Sequence, residues 1–332
     1  MKPLTTGMKE RQRFNSTTPM HELREFITPT ERLFVVHHLG IPDIAAVVDW
    51  NIVVNGLVNQ PLRLSLSDLA ALPQVELTAF HECAGSPLRP EVAVRRAGNV
   101  MWGGVRLRTV LERAGVMSGA AFVWARGADS GIYPPTGHSN DSYLKDLPLA
   151  KGLSEEVLLA TTLNGQPLDE RHGAPVRLVV PGFYGTNSVK WLTELIIADK
   201  RADGYFTTTL YNDRRIEQGV EVVEPVWEVA PHSVIVAPSA GERLRAGQCL
   251  VWGWAWSAAP IASVEVSTDA GCTWSTAAVH PRQGHAWQRF EFNWEASIGS
   301  KLLQCRATDE AGRTQPASRA RNEVLHLTVD VQ

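Results

Sequence analysis

Cys83 stands in the run Phe80-His81-Glu82-Cys83-Ala84-Gly85, with no second cysteine near it. A lone thiol among small residues, just after an apolar stretch, either offers a thiolate to a soft metal or an electrophile, or packs as an inert small side chain. Three further segments carry groups suited to an anion or a metal. His37 and His38 are adjacent in the run Phe34-Val35-Val36-His37-His38-Leu39-Gly40-Ile41-Pro42. Arg171-His172-Gly173-Ala174-Pro175-Val176-Arg177 places His172 and Arg177 around the start of an apolar strand. Gly182-Phe183-Tyr184-Gly185-Thr186-Asn187-Ser188-Val189-Lys190 is a glycine-bearing loop that ends at a lysine. Glycines let backbone N–H groups approach an anion closely, and Arg and Lys neutralise it. Asp129, in Gly127-Ala128-Asp129-Ser130-Gly131, is either a turn residue or a neighbour of that site. Taken singly, His37-His38 is ordinary loop surface and Arg177 half of an ion pair. Together the segments can build one anion-and-metal site.

The elements that must position these groups have a mixed texture. Val75 to Phe80 patterns as the strand that delivers Cys83, and Asn51 to Val58 as another, with Gly56 near its end. Ser65 to Leu72 has helical spacing with Ser65 or Ser67 as cap, and Arg106 to Ala114 has it again with a Gly115 stop. Val176 to Val180 is a buried strand that runs into Pro181-Gly182, and Trp191 to Ala198 is a further strand. Beyond residue 230 or so the texture changes. Seven of the 11 tryptophans lie at 227 or later, in short alternating runs separated by turn residues. Cys249 to Trp256, Ser263 to Thr268, Phe290-Phe292-Trp294 and Leu303-Cys305-Ala307 all alternate with period two, which predicts an antiparallel β-sandwich. Cys249, Cys272 and Cys305 are expected inside these strands as small core residues.

The 332-residue length calls for two domains, and 44% apolar and 20% charged residues with a net charge of −3 describe an ordinary globular chain. No basic stripe nominates nucleic acid. No apolar run reaches the roughly 18 residues that a membrane span needs. Residues 1–17 lack an apolar leader core, so the chain as it stands suits the cytoplasm, or the periplasm if a leader has been removed. The cysteine spacing gives no disulfide framework, no CxxC pair for zinc and no CxxCH for covalent haem.

The order and spacing of these segments resemble the sulfite oxidase family of molybdopterin-dependent oxidoreductases along nearly the whole chain. Residues 34–42 look like that family's His-Leu-x-x-Pro loop, and His81-Glu82-Cys83-Ala84-Gly85 like its Glu-Cys-Ala-Gly motif. Asn99 to Leu107 is similar to the segment that follows it. The densest match runs from Asn164-Gly165-Gln166-Pro167-Leu168 through His172-Gly173, Pro175-Val176-Arg177 and Val180-Pro181-Gly182 to Ser188-Val189-Lys190-Trp191-Leu192. Val264 to Asp269, Trp274 and Ala307-Thr308-Asp309 resemble the family's immunoglobulin-like dimerisation domain.

The resemblance implies an α+β chain. A mixed α+β molybdopterin-binding domain over 20–225 would be followed by an antiparallel immunoglobulin-like β-sandwich over 230–330 that pairs two subunits. It implies a molybdenum-molybdopterin cofactor with Cys83 as the protein ligand to the metal. Phe34, His37, His38, Asp129, His172, Arg177, Ser188, Val189 and Lys190 would surround it, Ser188 and Val189 through their backbone. Tyr211 matches the family's tyrosine beside the substrate, or else packs at the domain junction. The implied reaction is oxygen-atom transfer, with sulfite or a related sulfur oxyanion as substrate. Electrons would pass to a separate carrier such as a c-type cytochrome, because neither CxxCH nor the His-Pro-Gly-Gly of a b5-type haem domain occurs.

The chain also departs from the pattern. Val36 stands where sulfite-oxidising relatives often have an arginine, and Ser86-Pro87-Leu88 replaces the usual Asn and arginines after the cysteine motif. Arg89 is one residue late and is the substitute expected in the pocket. Arg95 and Arg96 are either recruited to the pocket or surface charges, and Arg319 and Arg321 are the candidates from the tail. Two other readings follow: a molybdopterin enzyme acting on another S- or N-oxide, and a relative that binds or assembles without catalysis.

Overall fold

The computed structural model describes residues 15–44, 49–86, 91–317 and 320–332. Strands dominate it and the helices are few and short, so the stretch 51–200 is weighted further to strand than its sequence texture suggests. Among the described residues the longest helix, Leu107–Ala114, buries Leu107, Val110, Leu111 and Ala114 on one stripe and stops at Gly115, whose φ is 67°. The helix Leu66–Ala70 starts at a capping box. Ser65 Oγ accepts the Asp68 N–H at 3.1 Å and Asp68 Oδ2 accepts the Ser65 N–H at 2.9 Å, which satisfies two donors that the first helical turn leaves over.

The first domain holds two five-stranded sheets. One runs in the order Leu144–Pro148, Phe122–Gly127, Leu192–Ala198, Asn51–Gly56, Leu62–Ser65. Its centre is a parallel pair, Leu192–Ala198 beside Asn51–Gly56, while its other pairings are antiparallel. The other runs Gln166–Pro167, Leu158–Leu163, Ala97–Arg106, Gln74–Glu82, with Arg177–Val179 also paired to Leu158–Leu163. Gln74–Glu82 pairs with Ala97–Arg106 from Gln74↔Val105 to Glu82↔Ala97. It begins exposed and is buried from Ala79 onward, so it carries His81, Glu82 and then Cys83 into the interior.

Beyond residue 230 two sheets pack face to face. His232–Ala237, Gly247–Trp256, Gln288–Ala296 and Ala278–Val279 make one; Arg243–Leu244, Leu325–Val331, Gly299–Asp309, Ile261–Ser267 and Ser275–Thr276 make the other. Alternate residues of both, among them Val251, Phe290, Val264, Leu303 and Leu327, fill one core, as the period-two pattern predicts. Full burial of such a side chain contributes roughly 1.5–3 kcal/mol. Cys305 lies in that core, but Cys249 is half-buried and Cys272 is exposed in a turn. The cause is Asp269, whose Oδ1 accepts the Thr273 N–H at 2.8 Å. The chain is held in a turn across residue 272, and the next strand starts only at Ser275.

The domains meet through a third apolar cluster. Phe80, Ala84, Ala97 and Tyr184 of the first pack against Val234, Val236, Trp254, Trp256 and Trp287 of the second. Trp254 Nε1 donates to Leu23 O at 2.6 Å and Trp287 Nε1 to Phe26 O at 3.1 Å. No helix among the described residues is long and apolar enough to cross a membrane.

Candidate functional site

A cavity opens between the end of Gln74–Glu82 and the loops 34–38, 171–177 and 185–190. Its lining brings together Phe34, His37, His38, Cys83, Asp129, His172, Arg177, Ser188, Lys190 and Tyr211 from six separate stretches of sequence. Val189 is the exception among the expected cofactor contacts. Its side chain packs in the main core, and its carbonyl accepts the Leu178 N–H at 2.9 Å. Arg89 lies outside the described residues.

Cys83 ends the strand. Its N–H donates to Arg96 O at 2.9 Å, and the Gly85 N–H points at Sγ from 3.4 Å. Burial pushes the thiol pKa up, against the pull of that N–H and of Arg96. The group is therefore a thiol at neutral pH, and a metal would have to displace its proton on binding. Two residues earlier, His81 Nε2 accepts from Arg177 Nη2 at 2.8 Å, which fixes the tautomer with the proton on Nδ1. Burial, then Arg177, holds His81 neutral, and its ring stacks on Phe34 with centroids 5.6 Å apart. Gly185 faces this ring. A Cβ there would stand 2.9 Å from His81 Nε2, so the wall closes only around glycine.

The cations are held by neutral acceptors. Arg177 donates to Ser188 O at 3.2 Å and His172 O at 3.2 Å, with its guanidinium over the Trp102 ring. Lys190 Nζ donates to Val36 O at 2.8 Å and lies over the Trp191 ring. Neither forms an ion pair with a carboxylate among the described residues, so the ion-pair reading of Arg177 is set aside. Burial lowers the Arg177 pKa to about 9 and that of Lys190 well below its usual range. Such burial of a cation is unfavourable unless an anion completes it.

Two imidazole nitrogens complete the picture. His37 donates Nε2–H to Arg171 O at 3.0 Å, and its Nδ1 is buried without a partner among the described residues. His172 donates Nδ1–H to Asp169 at 2.9 Å, and its Nε2 is likewise buried and unpartnered. Burial works to raise the Asp169 carboxyl pKa, but the bonds from His172 outweigh it and hold that pKa at about 2. Burial, then Lys190, lowers the pKa of His37 to about 3, and burial with Lys190 and Arg96 lowers that of His38 to about 4. His38 Nε2 and Tyr211 Oη are 2.5 Å apart, inside a ring of Tyr133, Tyr143 and Phe206. Burial raises the Tyr211 phenol pKa well above its usual range, so both partners of this hydrogen bond are neutral. The cavity thus combines one thiol, two buried cations bonded to neutral acceptors, and acceptor nitrogens without a partner among the described residues. That set suits an anionic ligand with a phosphate, N–H or O–H groups, and a soft metal.

Of the arginines considered for the pocket, Arg96 sits beside Cys83 with Nη1 donating to Gly85 O at 2.9 Å. Arg321 reaches the same loop, Nε donating to Ala84 O at 3.1 Å while it pairs with Asp213 at 3.0 Å. Arg95 is neither a surface charge nor a cavity residue. It is buried, with Nη1 bonded to Val92 O and Val94 O at 2.6 and 2.7 Å. Arg319 lies outside the described residues. Sequence reasoning missed Tyr143, whose Oη donates to Thr186 O at 2.9 Å inside the lining, and Asp169, which orients His172. The Asp169-x-x-His172 spacing, a cap onto a single helical turn, was the available signal for the second.

Residues 38–206 match the family model of the oxidoreductase molybdopterin binding domain, and residues 223–328 match that of the Mo-co oxidoreductase dimerisation domain. Sulfite oxidase of Gallus gallus is 31% identical over 337 residues, which cover 92% of this chain and 72% of that protein. Mitochondrial sulfite oxidase of Homo sapiens is 32% identical over 332 residues, 91% of this chain and 60% of that protein. The chain thus spans about 60% of the length of the mammalian relatives it matches. Nitrate reductase [NAD(P)H] of Hordeum vulgare is 31% identical over 95% of this chain and 40% of its own. The solved structure of the sulfane dehydrogenase SoxCD from Paracoccus pantotrophus superposes with a TM-score of 0.82 at 31% identity, covering 98% of this chain and 86% of that one.

Proposed function

The chain belongs to the sulfite oxidase family of molybdopterin-dependent oxidoreductases, and on that premise we propose that it oxidises sulfite or a related small sulfur oxyanion and passes the electrons to a separate carrier. The observation that carries this reading is the convergence on the cavity that holds Cys83 of two buried cations, Arg177 and Lys190, bonded to neutral acceptors, and two imidazole nitrogens without a partner among the described residues. The molybdenum-molybdopterin cofactor fits this donor set. Arg177, Lys190 and His172 would take its phosphate end, and His37, Asp129 and the Ser188 backbone its pterin. Cys83 would be the protein ligand to molybdenum, since a soft thiolate suits a metal held by sulfur. When bound, the cofactor supplies oxygen-atom transfer at the metal. Phe34 and Trp102 exclude water from the rings they cover. Arg96, and Arg89 if its loop reaches in, would hold the substrate anion. Tyr211, held by its hydrogen bond to neutral His38, would orient the substrate oxygen through its hydroxyl.

In this reading residues 20–225 are the cofactor domain. Residues 230–330 are an immunoglobulin-like sandwich that pairs two subunits, and a c-type cytochrome is the acceptor. A second reading, reduction or oxidation of another S- or N-oxide, is favoured by Val36 on the cavity wall at a position where an arginine would serve a dianion. Metal content measured together with sulfite-dependent reduction of ferricyanide or cytochrome c decides between them. Stoichiometric molybdenum with turnover lost in Cys83→Ser supports the first. Molybdenum without sulfite turnover supports the second, and a protein without molybdenum from a cofactor-competent host supports a non-catalytic binding role.

A further inference from the structure

Two walls of the cavity are fastened to the second domain by one buried polar junction. Glu82, the residue before Cys83, is fully buried. Its Oε1 accepts from His232 Nδ1 at 2.7 Å and its Oε2 from Trp256 Nε1 at 2.8 Å. Asn322 Nδ2 lies 3.5 Å from the same Oε2 and donates to Tyr184 Oη at 3.1 Å and Ala230 O at 3.0 Å. Tyr184 leads directly into Gly185, the residue pressed against His81. Arg321 adds a fourth hold through Ala84 O. None of the donors from the second domain lines the cavity.

A buried carboxylate is tolerated only where donors meet it. Glu82 has such donors in one place, and Cys83 follows it by a single peptide unit. Asn322 touches both Glu82 and Tyr184, so it ties the wall that carries Cys83 to the wall that carries Gly185 and Ser188. We propose that the second domain is a positioning element of the catalytic centre: the Glu82–His232–Trp256–Asn322–Tyr184 junction sets the place of Cys83 and the gap between the two walls. This role is separate from any pairing of subunits, and it rests on the reading of Cys83 as the metal ligand.

Two variants test it with little change of shape. Trp256→Phe keeps a ring and removes the N–H. Asn322→Gly removes the amide and keeps the left-handed backbone, whose φ is 63°. In the holoprotein, the sulfur-to-metal absorption band and the Mo(V) resonance are expected to shift in both, with molybdenum lost about 10–100-fold faster on dialysis and the oligomeric state unchanged. Phe290→Leu, in the remote core, should lower the melting temperature without moving either signal. Overturning results are a band and a resonance identical to wild type in both junction variants, with only the melting temperature lowered. A second measurement stands apart from the cofactor. In full-length cofactor-free protein carrying Cys249→Ser and Cys272→Ser, Cys83 should be alkylated about tenfold faster in Asn322→Gly. An unchanged rate sinks the positioning role even if the wild type takes up no molybdenum, a result that would separately sink the ligand role of Cys83.

Discussion

The core of the second domain and the cavity of the first are both buried, and they are closed in opposite ways. In the former, polar groups among the strands meet partners from the same chain: Ser233 Oγ donates to Gln315 Oε1 at 2.7 Å and Ser257 Oγ to Asp309 Oδ2 at 2.8 Å. In the latter, Arg177 and Lys190 lie among neutral acceptors, and His37 and His172 each present a nitrogen with no partner. The buried charge of Asp309 meets Arg313 at 2.9 Å, whereas Arg177 and Lys190 have no bonded carboxylate among the described residues. Burial alone therefore does not separate a core from a site; the charge left over inside it does.

The sharpest break in that contrast is Cys83→Ser, which should lower turnover by about a thousandfold or more, ~4 kcal/mol of transition-state stabilisation, while the melting temperature stays near that of wild type. Phe290→Ala in the other region should do the reverse. It costs about 3–5 kcal/mol of stability in denaturant melts and leaves molybdenum per folded molecule unchanged. Acid should act on the cavity through its histidines. His37 and His38 stay neutral in the fold down to about 3 and about 4, whereas in the unfolded chain both take up protons below about 6.5. The unfolded state thus binds more protons in that window, and stability falls as pH drops through it, by up to about 1.4 kcal/mol per pH unit for each histidine. Urea melts of cofactor-free protein between pH 7 and pH 4 check this, and His38→Gln should flatten the slope. Lys190→Met should raise the melting stability of the cofactor-free protein by about 1 kcal/mol and lower its molybdenum content, because an unneutralised buried charge is lost together with an anion contact. Smallest of all, Cys272→Ser should change stability by no more than about 0.5 kcal/mol, and only residue 272 of the pair Cys272 and Cys305 should alkylate quickly.

Much of this was legible in the chain because its signals are local. Period-two alternation located the strands around Trp254 and Phe292, the Ser65 and Gly115 stops bounded two helices, and the Cys83, Arg177 and Lys190 segments carried their motifs in order. What stayed hidden depends on partners far away in sequence. Nothing near Glu82 announces His232 and Trp256, 150 and 174 positions later. Arg95 carries a charge that marks it for the surface, yet neighbouring carbonyls and the domain junction bury it. Cys272 was misplaced because the alternation around it is cut by one side chain, Asp269, that holds a turn. Val189, expected to contribute through its backbone, packs its side chain in the core, a placement that the loop motif alone does not announce.

The parallel pair at the centre of the first sheet has a consequence for how the protein is made. Asn51–Gly56 pairs nearby with Leu62–Ser65, but its parallel partner is Leu192–Ala198, so ribosomal synthesis must add well over a hundred residues before that ladder can form. The last hold on Glu82 comes later still, from residue 322. Until then the nascent chain carries an unpaired strand edge and a half-walled cleft, a state exposed to aggregation and proteolysis. Insertion of a large prosthetic group is thereby deferred until residue 322 has been made, and the vulnerable interval ends when that segment docks.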